Sequence, residues 1–280
     1  VTVLERASGK VLAEVEVGVE PEGMSVAPDD KMVAATSEAT SMAHFIDTET
    51  FEVVSNILVD TRPRVAIYTA DGKEVWVSAE IGGTIAVIDP ATFKIKKKFG
   101  FEIPGVRPEL IQPVGIVFSK DGKLAFIAIG RANRVAVVDT ATYEVKDYIL
   151  IGQRPWHMAL SSDGSKLYTA NGLTNDMTII DVASLKAVKS VPVGRLPWGV
   201  VVNPLGFSSV HFLLRFPYSS LFLTSLSSFF CLFFLSFPFS FSPLLSLSSF
   251  LHLFFLLLLF QYIFFSSFFS LLFFFFFLFS

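Results

Sequence analysis

Short runs of Val, Ile, Ala, Phe and Tyr, broken every few residues by turn-forming Asp, Gly, Asn and Pro, fill the first 204 residues of the chain. Within 112–150 the pattern predicts four strands, at 115–118, 124–128, 134–138 and 143–149, with the Asp121-Gly122 turn between the first two. β-Branched and aromatic residues favour strands, and glycine supplies the positive φ of a tight hairpin at little cost. No apolar stripe at the helical period accompanies these runs, so the region reads as all-β.

The four-strand pattern repeats. A proline near the start of each unit recurs at Pro21, Pro63, Pro113, Pro155 and Pro197, with spacings of 42, 50, 42 and 42. Turn aspartates Asp29, Asp71, Asp121 and Asp163 follow the same register, as do the strand-closing aspartates Asp47, Asp89, Asp139 and Asp181, both with spacings of 42, 50 and 42. Three independent markers sharing one eight-residue excess establish a repeat with an insertion between units, mapped to 99–108. A lone four-stranded sheet of this size cannot bury both faces, and stacking such sheets radially gives a β-propeller. The predicted fold is therefore an all-β, partial β-propeller of about four complete four-stranded blades and two partial ones, spanning 1–204.

Composition divides the chain at the same place. All 25 acidic residues and all but one of the 22 Lys and Arg residues precede position 205. That region carries a charge of about −4, which gives no electrostatic case for nucleic acid. The sole cysteine, Cys231, lies beyond it, excluding a disulfide, a Cys-ligated metal or covalent haem attachment within the repeats. Of the 76 residues in 205–280, 65 are Phe, Ser, Leu or Pro, the residues of all-pyrimidine codons. This low-complexity tail reads as the translation of a polypyrimidine tract foreign to the propeller. The alternative is a membrane anchor, since 250–279 is long and apolar enough to span a bilayer, although Ser pairs interrupt it and few basic residues flank it.

Leu167-Tyr168-Thr169-Ala170-Asn171, the Asp-Gly-Lys turns and strand ends of the type Val87-Ile88-Asp89-Pro90-Ala91-Thr92 resemble the YVTN family of β-propeller repeats. Within it the chain is most similar to secreted propellers associated with pyrroloquinoline-quinone-dependent alcohol catabolism, relatives of cytochrome d1-type and quinoprotein amine dehydrogenase propellers. The resemblance implies a periplasmic or extracellular protein. It implies a non-enzymatic binding module in quinoprotein-linked oxidation, with a lactonase-like or cofactor-bearing enzyme as the alternative and a membrane-tethered scaffold as a third reading. Haem or pyrroloquinoline quinone enters only through this analogy; the residues themselves predict no cofactor. Family members commonly close with seven blades, so a chain starting at a third strand (Glu5 lies 42 residues before Asp47) and ending its repeats on a first strand reads as a fragment. A small ring sharing one incomplete blade is the alternative.

Residues preceding each inner strand should ring one mouth of the channel: Arg62, Arg64, Arg154, Trp156, His157, Arg195 and Trp198. Guanidinium groups pair with carboxylates and indoles stack on flat molecules, so this rim suits a small anionic aromatic ligand or an acidic protein partner. The competing reading is that Arg and Trp beside a proline pack between blades. His44 and His157 fall at different points of their units and are not expected to form a metal pair. His157 is a haem ligand only by analogy. The recurrent aspartates are accounted for by turns, and no nucleophile-elbow, phosphate-loop or zinc-protease motif occurs.

Overall fold

The computed structural model describes residues 1–203 and the backbone of 210–214; the remaining tail, including the anchor candidate, lies outside the described residues. The chain divides into compact units at Pro217, and the first of them holds every element below.

Four four-stranded antiparallel meanders follow one another. They comprise β3 (Pro21–Val26) to β6 (Val53–Leu58), β7 (Pro63–Tyr68) to β10 (Lys94–Gly100), β11 (Pro113–Phe118) to β14 (Val145–Leu150), and β15 (Pro155–Leu160) to β18 (Lys186–Pro192). These are blades one to four. Before them β1 (Thr2–Leu4) pairs with β2 (Val11–Glu14), and after them β19 (Pro197–Val202) pairs with β20 (Val210–Leu214). The repeat pattern ends on β19, with no Asp-Gly turn or second strand after it. The backbone of 210–214 takes that position, because sheet pairing needs only an extended segment and not the repeat's Asp-Gly turn.

Neighbouring inner strands β3, β7, β11, β15 and β19 pack side by side, which is the radial arrangement of a propeller. The apolar cores accordingly lie between blades. Phe45, Val77 and Ile88 fill the first interface; Trp76, Ile116 and Ile127 the second; Phe126, Leu167 and Ile180 the third. The insertion serves the second interface: Phe101 and Ile103 are buried in it before the short 3-10 turn Pro108–Leu110.

Each turn follows from its aspartate. Asp29, Asp71, Asp121 and Asp163 each accept the backbone N–H two residues on through Oδ1, at 3.0–3.1 Å. The following residue is left-handed: Gly72, Gly122 and Gly164, with Asp30 taking that slot in the first blade. Between third and fourth strands, Asp47, Asp89, Asp139 and Asp181 accept backbone N–H groups in the same way. Four residues further on, Phe51, Phe93, Tyr143 and Leu185 are left-handed at φ 54–62°. A bulky residue there is unfavourable. Burial against the preceding sheet offsets the cost: Phe93 meets Phe45 at 5.2 Å between ring centroids, and Tyr143 meets Trp76 at 5.7 Å. The loops are therefore latches between blades.

Candidate functional site at the channel mouth

The turns entering four of the five inner strands carry a second left-handed residue before the proline, Glu20, Arg62, Arg154 and Leu196 at φ 51–62°, and Gln112 before Pro113 is the exception. The helical region is disfavoured before proline, and the turn is pinned from the adjoining strand ends. Asn133 Oδ1 accepts the Arg154 N–H at 3.0 Å, and Asn175 Oδ1, 42 residues later, accepts that of Leu196 at 2.8 Å. These turns aim the following side chains, Glu22, Arg64, Trp156 and Trp198, at one end of the inner strands.

Three arginines and three glutamates interlock there. Arg62 Nε donates to Glu38 Oε2 at 2.8 Å and lies 3.4 Å from Glu80. Arg64 pairs with Glu22 at 3.0 Å and with Glu38, while its Nε reaches only 3.6 Å from Glu80, an ionic contact too long for a hydrogen bond. Arg154 bonds Glu80 and the side-chain oxygen of Gln112. Arg64, Glu38 and Glu80 are buried, the last with 2% of its side chain exposed, and the six charges balance. The Arg62 guanidinium is held above its ordinary pKa: burial opposes this, but the Glu80 and Glu38 carboxylates outweigh it.

The repeat explains how the blades share this cluster. The residue after the second strand is Glu38, Glu80, Gly130 and Gly172 in turn. The first two supply carboxylates. At Gly130 a Cβ would lie 2.8 Å from Arg154 Nη1, and at Gly172 one would lie 2.7 Å from Trp156 Nε1. The glycines thus make room for side chains that the glutamates could not accommodate. Trp156 lies beneath Arg154, whose Cζ is 4.3 Å from the ring centroid, with the Arg64 Cζ at 5.2 Å. Cations over the indole face add attraction to the packing.

Beside this cluster lies a cleft of about 740 Å³. Trp156 and Trp198 form its aromatic part, 6.5 Å apart between centroids. Leu110, Leu173 and Leu196 supply apolar wall, Arg131 and Gln153 polar rim, and no carboxylate lines it. His157 packs at a tilt against Trp198, 4.5 Å between ring centroids, and burial, reinforced by the Arg64 charge, pushes its pKa down to about 4, leaving it neutral at pH 7. Arg195 is exposed beside the Leu196 turn.

The structure therefore brings Arg62, Arg64, Arg154, Trp156, His157 and Trp198 to one end of the inner strands, with Arg195 outside the lined cleft. Sequence reasoning missed Glu22, Glu38, Glu80 and Gln112. Glu38 and Glu80 were visible as a 42-residue pair, and Gln112 occupies the repeat position of Arg62 and Arg154.

His44 belongs elsewhere. Its Nε2 meets Ser37 Oγ at 2.7 Å and its Nδ1 meets Asn56 Oδ1 at 2.5 Å, an order of groups shared with nucleophilic triads. Ser37 is fully buried, however, and the Gly18 backbone closes over it. In blade four Asn171, Thr178 and Ser190 make the corresponding chain of bonds at the same repeat positions. The trio is a polar tie across three strands. Among the described residues no three His, Cys, Asp or Glu side chains converge as metal ligands, and no helix is long and apolar enough to cross a membrane.

Comparison with known proteins decides the family, since the choice-of-anchor I domain model matches residues 1–186. The chain belongs to that family. No curated protein matches it. Among solved structures it is similar to the Kuenenia stuttgartiensis hydrazine synthase, with 22% identity and a TM-score of 0.58 over 68% of this chain and 53% of that one. A protein of unknown function from Desulfotomaculum acetoxidans DSM 771 matches with 18% identity and a TM-score of 0.66, over 76% of this chain and 69% of that one. These likenesses show the propeller fold. The chain spans about half the length of the hydrazine synthase chain it matches.

Proposed function

We propose that this propeller is a non-enzymatic binding module whose ligand enters the cleft of Trp156 and Trp198. The carrying observation is the pairing of an aromatic cleft free of carboxylates with a charge-balanced cluster that holds its walls rigid. Arg62, Arg64 and Arg154 already have carboxylate partners, so in this reading Arg64 and Arg154 fix the Trp156 indole they lie over and Arg62 holds the cluster's carboxylates. A small anionic aromatic molecule suits the cleft by stacking and charge, and an acidic surface of a protein partner suits it by charge. Export to the periplasm or exterior and a place in quinoprotein-linked oxidation rest on resemblance to YVTN-type propellers. Pyrroloquinoline quinone, itself a flat polyanion, is the natural first probe of that link.

The test is tryptophan fluorescence. Trp76 is fully buried, whereas Trp156 and Trp198 line the cleft. Titration with pyrroloquinoline quinone should give saturable quenching that Trp198→Ala weakens by roughly tenfold or more, the loss of one stacking anchor. Linear quenching unaffected by Trp198→Ala would refute the reading.

A further inference from the structure

Arg62, Arg64 and Arg154 are engaged by carboxylates and Arg195 lies outside the cleft, so none of the four is free to recognise a ligand's charge there. One cation remains. Arg131 lines the cleft, is exposed, and makes no ion pair among the described residues. It sits on the short 3-10 turn Gly130–Ala132, closed by the Asn133 N–H to Gly130 O at 3.3 Å. The left-handed Asn133 in turn holds the Arg154 backbone. The base of Arg131 is thus tied to the wall that carries Trp156.

The repeat shows that the fold does not require this arginine. Its equivalents are Ala39, Ile81 and Leu173, and the last lines the same cleft. An apolar residue is the ordinary occupant of the position. At position 131, on the wall of the cleft that holds both indoles, a guanidinium takes its place and puts a cation where a ligand's edge would lie.

We propose that Arg131 is the charge-reading residue of the cleft, and that the ligand is a flat aromatic carboxylate. Its ring lies in the apolar space by Trp156 and Trp198, and its carboxylate pairs with the Arg131 guanidinium. The neutral state of His157 and the paired state of Arg154 leave Arg131 as the cleft's available positive charge. This inference rests on the binding reading above and deepens it.

Isothermal titration calorimetry with 2-naphthoate and its neutral analogue 2-naphthol at pH 7 tests it. The unaltered chain should prefer naphthoate. Arg131→Gln should weaken naphthoate roughly tenfold, the scale of a charged hydrogen bond, and leave naphthol unchanged. The naphthoate preference should also shrink at high salt, since the pair is exposed. Because Arg131 is exposed, its variant should melt with the unaltered chain, separating recognition from folding. Equal binding of naphthoate and naphthol, or naphthoate binding indifferent to Arg131→Gln, would overturn the assignment while leaving the cleft a binding site. Failure of both probes to bind would overturn the cleft reading and this inference together.

Discussion

Residue by residue, the channel mouth shows arginines doing structural work that sequence alone could not separate from ligand binding. Guanidinium groups beside a proline look the same whether they face a ligand or a carboxylate 24 residues away, as Arg62 faces Glu38. The distinction depends on which side chains converge across blades, and only the Glu38/Glu80 spacing hinted at it. Glu80 is the most consequential member, since it lies near Arg62, Arg64 and Arg154 while almost wholly buried. Removing one partner from a buried ionic cluster strands the others' charge, a loss of about 3–5 kcal/mol. Glu80→Gln should therefore lower stability in urea unfolding by that order. The exposed Arg195→Gln should change it little. A Glu80→Gln variant as stable as the parent would show that the cluster contributes little to holding the mouth.

Among the elements, strands and turns were the most legible part of the chain. The Asp-Gly hairpins and strand-closing aspartates appear where the spacing put them, because an aspartate accepting its own downstream N–H groups is a local device. The aromatic latches were less visible. A Phe or Tyr four residues after an aspartate signals nothing until the next sheet is in place, and their left-handed backbone runs against the usual preference. The turn aspartates also predict an acid response. Asp139 is held down to about 2 by Lys146 and by the Thr142 and Ala141 N–H groups, and Asp163 to about 2 by the Ser161 hydroxyl and the Ser165 N–H. Asp181 is lowered in the same sense, chiefly by Lys166. Folded-state values below the ordinary 3.8 contribute stability that is complete above that pH and is lost as pH falls toward 2. Thermal melts should lose stability across this window. Asp139→Asn together with Asp163→Asn should flatten the dependence, and an unchanged slope would contradict these turn assignments.

For the whole first unit, the repeat register exposes one asymmetry. Met24 and its equivalents Ala66, Ile116, Met158 and Val200 occupy the same inner-strand position. The last four are at most 6% exposed, while Met24 is 55% exposed and Val26 is 54% exposed. The difference arises because β1 and β2 stand beside blade one without inner strands of their own among the described residues. An apolar inter-blade face open to water favours association. Met24→Thr with Val26→Thr should reduce light scattering of the 280-residue chain at high concentration, and no reduction would show that this face is covered in solution.

In the proposed binding mode the mouth cleft, rather than the outer strands or the open inter-blade face, receives the ligand. Hydrogen–deuterium exchange with and without saturating 2-naphthoate locates the site. Binding in the cleft should slow exchange only at 130–133, 152–157, 172–175 and 195–199, the segments that build the cleft and its supporting turns. Protection concentrated on outer strands β10, β14 and β18, or on β1 to β3, would contradict it.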